Sequence, residues 1–327
     1  MSLLRRISLG FPTDWTHRRG WSLEATRKPG AAPYFIEWDP GNGVYGEDFT
    51  TAPRDAEGVL LFGAGRWYHA IRIAQFALHR YAVWQATGSA EARADFFAQA
   101  RWFRDSRHDG PVEGLYVFDF PWDKYGAGSG WTSAMAQGEA ISVLLRAEQN
   151  EAGSGFGDAA LRAARPFRAE INDGGVVWRG GRDVFFEEVA NAHAPHILNG
   201  CIFALWGVWE LWKRSGEAWL GELAQQSVET IARWLPQYDT GWWSLYSLMR
   251  SASGQPHLAT LKYHEFHIAQ LRVLAAMFSE PLFKATAARW ADYERKPASR
   301  RRLIGTTLWS LPERLLGRDR VAGGAHA

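Results

Sequence analysis

An amide side chain set into an apolar, helix-like run recurs along this chain, at Gln75, Gln137, Asn199 and Gln270. The steps between them are 62, 62 and 71 residues. Self-similarity at such a spacing points to one supersecondary unit used four times, because a unit this small cannot bury its apolar face alone and must stack on its copies.

Each amide follows an aromatic- and glycine-rich stretch, and each is followed by a second helical run. The predicted helix pairs are 68–86 with 90–106, 133–149 with 157–168, 195–214 with 217–235, and 263–278 with 281–294. The first member of each pair is apolar nearly all round and belongs inside, whereas the second carries charge on one side and belongs outside. Strand-like stretches precede the later pairs, at 114–121, 174–178 with 183–189, and from Gly241 to Tyr246. The fold class expected is therefore mainly α: an (α/α)4 toroid or barrel of inner and outer helices, with short β-hairpins gathered on one rim. Residues 1–66, rich in Gly, Pro and aromatics, read as an irregular N-terminal segment packed on the barrel, and 67–295 as the barrel itself. Residues 296–327, with Arg300, Arg301 and Arg302 ahead of an apolar stripe, read as a basic amphipathic tail. Such a tail suits docking on the barrel or contact with an anionic membrane surface.

Eighteen tryptophans are far more than a core of this size needs. Those at helical spacing, such as Trp206, Trp209, Trp212, Trp234 and Trp290, read as core. Those in glycine-rich turns, Trp131, Trp178, Trp242 and Trp243, read as flat platforms for sugar rings. Lys and Arg number 37 against 35 Asp and Glu, a net charge of +2, which makes no bulk case for nucleic acid. One cysteine, Cys201, excludes intrachain disulfides and fits a reducing compartment. With no apolar run long enough to span a bilayer and no h-region behind Met1, the expected location is the cytoplasm, with membrane association left open by the basic tail.

The densest chemistry lies in Lys262–Leu271. Tyr263, His267 and Gln270 fall at i, i+4 and i+7 and share one helix face beside an apolar stripe of Ile268, Leu271 and Leu274. His264 and His267 lack the accompanying carboxylates of a metal set, so they read as structural or substrate-contacting, and neither metal nor cofactor is expected. No P-loop, strand-borne GxGxxG, HExxH or GxSxG is present.

Five motifs taken together resemble the D-glucuronyl C5-epimerase family. They are Ser133–Ser142 (SAMAQGEAIS), Phe186-Glu187-Glu188, His196–Gly200 (HILNG), Ser244-Leu245-Tyr246, and Tyr263-His264 with His267, Ile268, Gln270 and Leu271. They stand in the family's order over roughly residues 110–295. The resemblance implies the family's C-terminal α/α barrel, and epimerisation at C5 of D-glucuronate to L-iduronate in a polysaccharide or its precursor. Proton transfer by tyrosines and a glutamate is implied at Tyr263, Tyr246 and Glu188. Arg250, Glu187, His264, His267, Gln137, Asn199, Trp131, Trp178 and Trp243 are the expected substrate contacts. Two positions depart from the family pattern: its tyrosine after the paired glutamates is Val189, and its arginine three residues beyond the first tyrosine falls at Met249, with Arg250 next to it. The expected partner is an acidic polysaccharide or oligosaccharide, and homodimerisation is left open. A lyase shares the first step, C5 proton abstraction. A glycoside hydrolase could use Asp119 with Glu188, and a uronate-binding domain needs no chemistry at all.

Overall fold

In the computed structural model of the chain, residues 21–31, 33–36, 49, 51–106, 111–251 and 253–309 are described. Much of the expected N-terminal segment, and the tail beyond residue 309, lie outside the described residues. A two-stranded antiparallel hairpin precedes each of four helix pairs. Hairpin β1 (Leu61–Phe62) and β2 (Trp67–Tyr68) leads into α1 (Ala70–Thr87) and α2 (Ala90–Asp105). The second hairpin, β3 (Val117–Phe118) with β4 (Trp131–Thr132), leads into α3 (Ala134–Asn150) and α4 (Phe156–Ala164). The third, β5 (Val177–Gly180) with β6 (Asp183–Phe186), leads into α5 (Leu198–Ser215) and α6 (Ala218–Trp234). The fourth, β7 (Leu245–Arg250) with β8 (Pro256–Leu258), leads into α7 (Leu261–Phe278) and α8 (Pro281–Arg295). A last helix, α9 (Pro297–Trp309), packs on α8.

The first helices of the pairs begin at Ala70, Ala134, Leu198 and Leu261, so the repeat is 64, 64 and 63 residues. The amide spacing finds four units but misses their register, because the four amides do different work. Gln75 donates to Glu139 across α1 and α3. Gln137 accepts from the Tyr116 N–H and donates to the carbonyls of Gly114 and Ala163, and Gln270 donates to the Asn199 carbonyl.

Burial follows the apolar pattern. Every residue of α3 from Ala134 to Ala147 and of α5 from Leu198 to Leu211 is buried, whereas α6 and α8 bury one stripe. α1 packs on α3, α3 on α5, and α5 on α7, while each second helix packs on its own first. The contact between α3 and α5 is the closest, because Gly138 removes a side chain where the two backbones meet: a Cβ there would stand 2.5 Å from the Ala204 Cα. Gly138→Ala is therefore expected to lower stability by about 1–3 kcal/mol through overpacking, seen as a fall in Tm.

Gly30, Tyr34 and Phe35 lie against the ends of α3 and α5 away from the hairpins. Phe35 lies 4.7 Å from the Trp206 ring, and the Gly30 N–H donates to Glu210 at 2.9 Å. Glu210 in turn holds a fully buried ion pair with Arg146. These contacts pack that end of the two helices, and the residues singled out for chemistry lie at the hairpin end. In α9, Leu303 and Thr307 are buried, and Arg302 lies over the Trp242 ring at 4.4 Å. Among the described residues no helix is long and apolar enough to cross a membrane.

Candidate active site

Three segments of the hairpin end converge. Glu188 lies just past β6, Tyr246 is on β7, and Tyr263 is in the first turn of α7. The Tyr246 hydroxyl donates a long hydrogen bond, 3.5 Å, to Glu188 Oε1. The Tyr246 and Tyr263 rings meet edge to face with centroids 4.6 Å apart. Glu188 and Tyr246 are buried and Tyr263 half-buried. Glu188 Oε2 has no hydrogen-bond partner among the described residues and packs against Gly200 in the first turn of α5, where any Cβ would collide with it. Burial raises the Glu188 carboxyl to about 8; the Tyr246 hydrogen bond opposes the shift, the neighbouring Glu187 adds to it, and the charge of Lys124 opposes it. At neutral pH this carboxyl is mostly protonated and can give a proton.

Glu187 does something else. One of its carboxylate oxygens accepts the His196 backbone N–H at 3.1 Å and the other pairs with His196 Nδ1. These bonds hold His196 in the left-handed region, φ 50°, a conformation that costs a non-glycine residue energy. The Tyr238 hydroxyl fixes the same residue by donating to its carbonyl. Glu187 thus pins the loop that carries Glu188 toward α5. Trp178 stands half-buried beside this loop, 4.9 Å from the His196 ring.

His264 and His267 are buried and joined through Ser244, whose Oγ lies 2.8 Å and 3.0 Å from their Nδ1 atoms. The His264 Nε2–H donates to the Trp290 carbonyl, and the ring stacks on Trp243 at 3.8 Å. Burial depresses both histidines, His264 to about 4. They anchor β7 to α7, and His264 faces protein on every side. Trp243 and Trp131 are also buried: the first donates to the Ala259 carbonyl, and the second stacks on Phe118 at 3.8 Å and donates to the Phe120 carbonyl. Neither ring face is open to a sugar, because the glycine-rich turns fold these rings inward to fill space that short strands leave. Gln137, both ends engaged with backbone, closes a loop; Asn199 keeps an unpaired, buried Oδ1 among the described residues. Ser244→Ala is expected to destabilise by about 1–3 kcal/mol, since two buried imidazoles lose their shared partner, measurable by chemical denaturation.

Two site neighbours carry no motif and were not read from the sequence. His257 on β8 lies 4.9 Å from the Tyr246 ring; its Nδ1 bonds Ser247 Oγ at 2.7 Å and its Nε2 meets Lys124 Nζ at 3.1 Å. The β7–β8 register sets 246 opposite 257, and the β3–β4 connection brings 124 against them from another hairpin. Arg250 sits at the far end of β7, exposed, donating to the Gly254 carbonyl, roughly 13 Å along an extended strand from Tyr246. Val189 is fully buried, and Asp119 is exposed in the β3–β4 connection. Among the described residues no cluster of three or more His, Cys, Asp or Glu is placed to hold a metal ion.

Comparison with known proteins fits this arrangement. Residues 113–292 match the family model described as D-glucuronyl C5-epimerase C-terminus. The chain is 32% identical over 177 residues to the D-glucuronyl C5-epimerase of Caenorhabditis elegans, covering 50% of this chain and 29% of that protein. It is 24% identical over 181 residues to an uncharacterized protein of Methanocaldococcus jannaschii, covering 54% of this chain and 56% of the relative. The chain thus spans well under two thirds of either relative's length. Because the matched segment takes in more than half of the chain, including all three converging residues, the protein belongs to the D-glucuronyl C5-epimerase family through the part described as that enzyme's C-terminus.

Proposed function

We propose that the protein is a carbohydrate epimerase that inverts C5 of D-glucuronate residues in an acidic polysaccharide or its precursor, and that its four hairpin-bearing helix pairs close into an (α/α)4 toroid around the site. The observation that carries the reading is the coupling of the buried Glu188 carboxyl, which burial pushes up to about 8, to Tyr246 beside the more exposed Tyr263. Inversion requires the C5–H bond to break, its electrons to move into the adjacent carboxylate, and a proton to return to C5 on the opposite ring face. Two proton carriers are therefore needed. The Glu188–Tyr246 pair is one and Tyr263 the other: Tyr263, as its phenolate, takes the C5 proton from one face while the protonated Glu188–Tyr246 pair gives one to the other, exchange with solvent resets both, and the reverse reaction swaps the two roles.

The two phenol rings touch edge to face, with centroids 4.6 Å apart and planes inclined at 63°, so the uronate enters between their hydroxyl ends rather than between the rings, with C5 held between the two carriers. A lyase would share the abstraction step but eliminate the 4-linked sugar instead of returning the proton. One incubation decides between them. Glucuronate-containing heparosan oligosaccharide in deuterated water, followed by NMR, should gain deuterium at C5 and show iduronate signals. An unsaturated, ultraviolet-absorbing product would favour the lyase. Tight binding with neither change would leave a binding domain.

A further inference from the structure

The proposed chemistry piles negative charge onto the substrate carboxylate beside Glu188, and a cation has to receive it. Arg250 is poorly sited, because its guanidinium is engaged at the turn end of β7. Lys124 is better placed. It sits in the single 3-10 turn Asp123–Tyr125 of the β3–β4 connection, which Gly126 ends in the left-handed conformation. The turn is fixed on both sides: Trp122 and Ala127 exchange backbone hydrogen bonds, and Asn191 Nδ2, from the loop that follows Glu188, donates to the Tyr125 carbonyl.

A lysine ammonium can only donate, so His257 Nε2 accepts from it, and the Nδ1–H of the same ring donates to Ser247. This assigns a neutral imidazole and aims the ammonium from β8 toward the space beside Tyr246, whose ring His257 touches. The side chain is half-buried, so the ammonium is partly desolvated yet reachable.

We infer that Lys124, oriented by the His257–Ser247 pair, is the specificity-determining cation that binds the uronate carboxylate of the substrate at this site. The inference deepens the epimerase reading and rests on it for the identity of the sugar, but its binding test does not need turnover. The ammonium donates to the carboxylate, holds the charge that develops as C5–H breaks, and discriminates a uronate from the neutral hexose of the same shape. His257 is a positioning residue, because it acts only through Lys124.

The test compares heparosan oligosaccharide with its carboxyl-reduced counterpart by calorimetric titration, for the wild type, Lys124→Met, Lys124→Arg and His257→Phe. The wild type is expected to prefer the acidic form. Lys124→Met should weaken binding of the acidic form about tenfold to a hundredfold, the usual range for a charge-assisted hydrogen bond, and change binding of the reduced form by less than about threefold. Lys124→Arg should restore part of the preference, and His257→Phe should lose an intermediate share. Where the wild type also exchanges the C5 proton, Lys124→Met should move the alkaline limb of its pH profile upward, because the ammonium no longer favours the Glu188 carboxylate. A wild type without preference, or a Lys124→Met that keeps it, overturns the inference. A Lys124-dependent preference without any C5 exchange upholds it and rejects the epimerase reading instead.

Discussion

Glu188→Gln is expected to cut C5 proton exchange by about 10²–10⁴-fold, the usual worth of a positioned acid or base, and at the same time to make the protein more stable at alkaline pH. The second effect follows from the raised carboxyl. Its value in the folded protein is about 8 against 4.5 for the free group, with burial as the main cause. Between those pH values the folded chain holds a proton that the unfolded chain has lost, so folding takes up a proton and stability falls as pH rises through the window. Glutamine has nearly the same shape and no charge to bury. Thermal melts from pH 5 to pH 9 should show wild type and variant close together at the acidic end and the variant ahead at the alkaline end, by a few kcal/mol. Glu139, whose buried carboxyl is pushed up mainly by burial and in part by the charge of Glu188, stays in both proteins; the variant removes the Glu188 share, which adds to the alkaline gain in the same direction. A variant that retains wild-type exchange removes Glu188 from the chemistry, and parallel melting curves would mean that the carboxyl is solvated and ionised in the folded protein.

A residue that loses activity while gaining stability is a residue retained for its reaction. The sequence singles out Glu188 through its place after Phe186 and Glu187, yet the physical reason for its role is visible only in three dimensions. Helix periodicity marks which runs are inner and outer, because burial all round and burial on one stripe leave different patterns along the chain, as α5 and α6 show. Hairpins of two residues, such as β1 and β3, leave almost no alternation to read. Lys124 and His257, which meet only because the second and fourth hairpins pack side by side, carry no motif that marks them, whereas Tyr263 and Tyr246 do. Tryptophan misleads for a related reason. In a glycine-rich turn the ring can face solvent or fold under the turn, and residue type does not decide which: Trp131 and Trp243 fold under, whereas Trp178 stays half-buried on β5. The amides mark the repeat without keeping its register, since Gln75 serves a carboxylate and Gln137 three backbone groups.

Tyr263→Phe and Tyr246→Phe are expected to fail in different ways, although each removes one hydroxyl. Tyr263 is the half-exposed phenol and makes its ring contacts with Tyr246 and Phe266, contacts that phenylalanine keeps. Its loss should abolish deuterium uptake at C5, to below about one hundredth of wild type. Oligosaccharide affinity should stay within a few-fold, because a single hydroxyl contributes only about 0.5–1.5 kcal/mol to ground-state binding. The shape of the residual pH profile, set by Glu188, should not move. Tyr246→Phe removes the hydroxyl that donates to Glu188 Oε1, a bond that favours the carboxylate and holds the carboxyl down against burial. Without it Glu188 rises further, so the exchange rate falls and its alkaline limb shifts to higher pH. Measuring exchange by NMR from pH 6 to pH 9.5 for the three proteins separates these outcomes. Uptake persisting in Tyr263→Phe would remove that phenol as a proton carrier. An alkaline limb that moves equally in both variants, or in neither, would mean that Tyr246 does not tune Glu188 and that the two residues are not one acid/base unit.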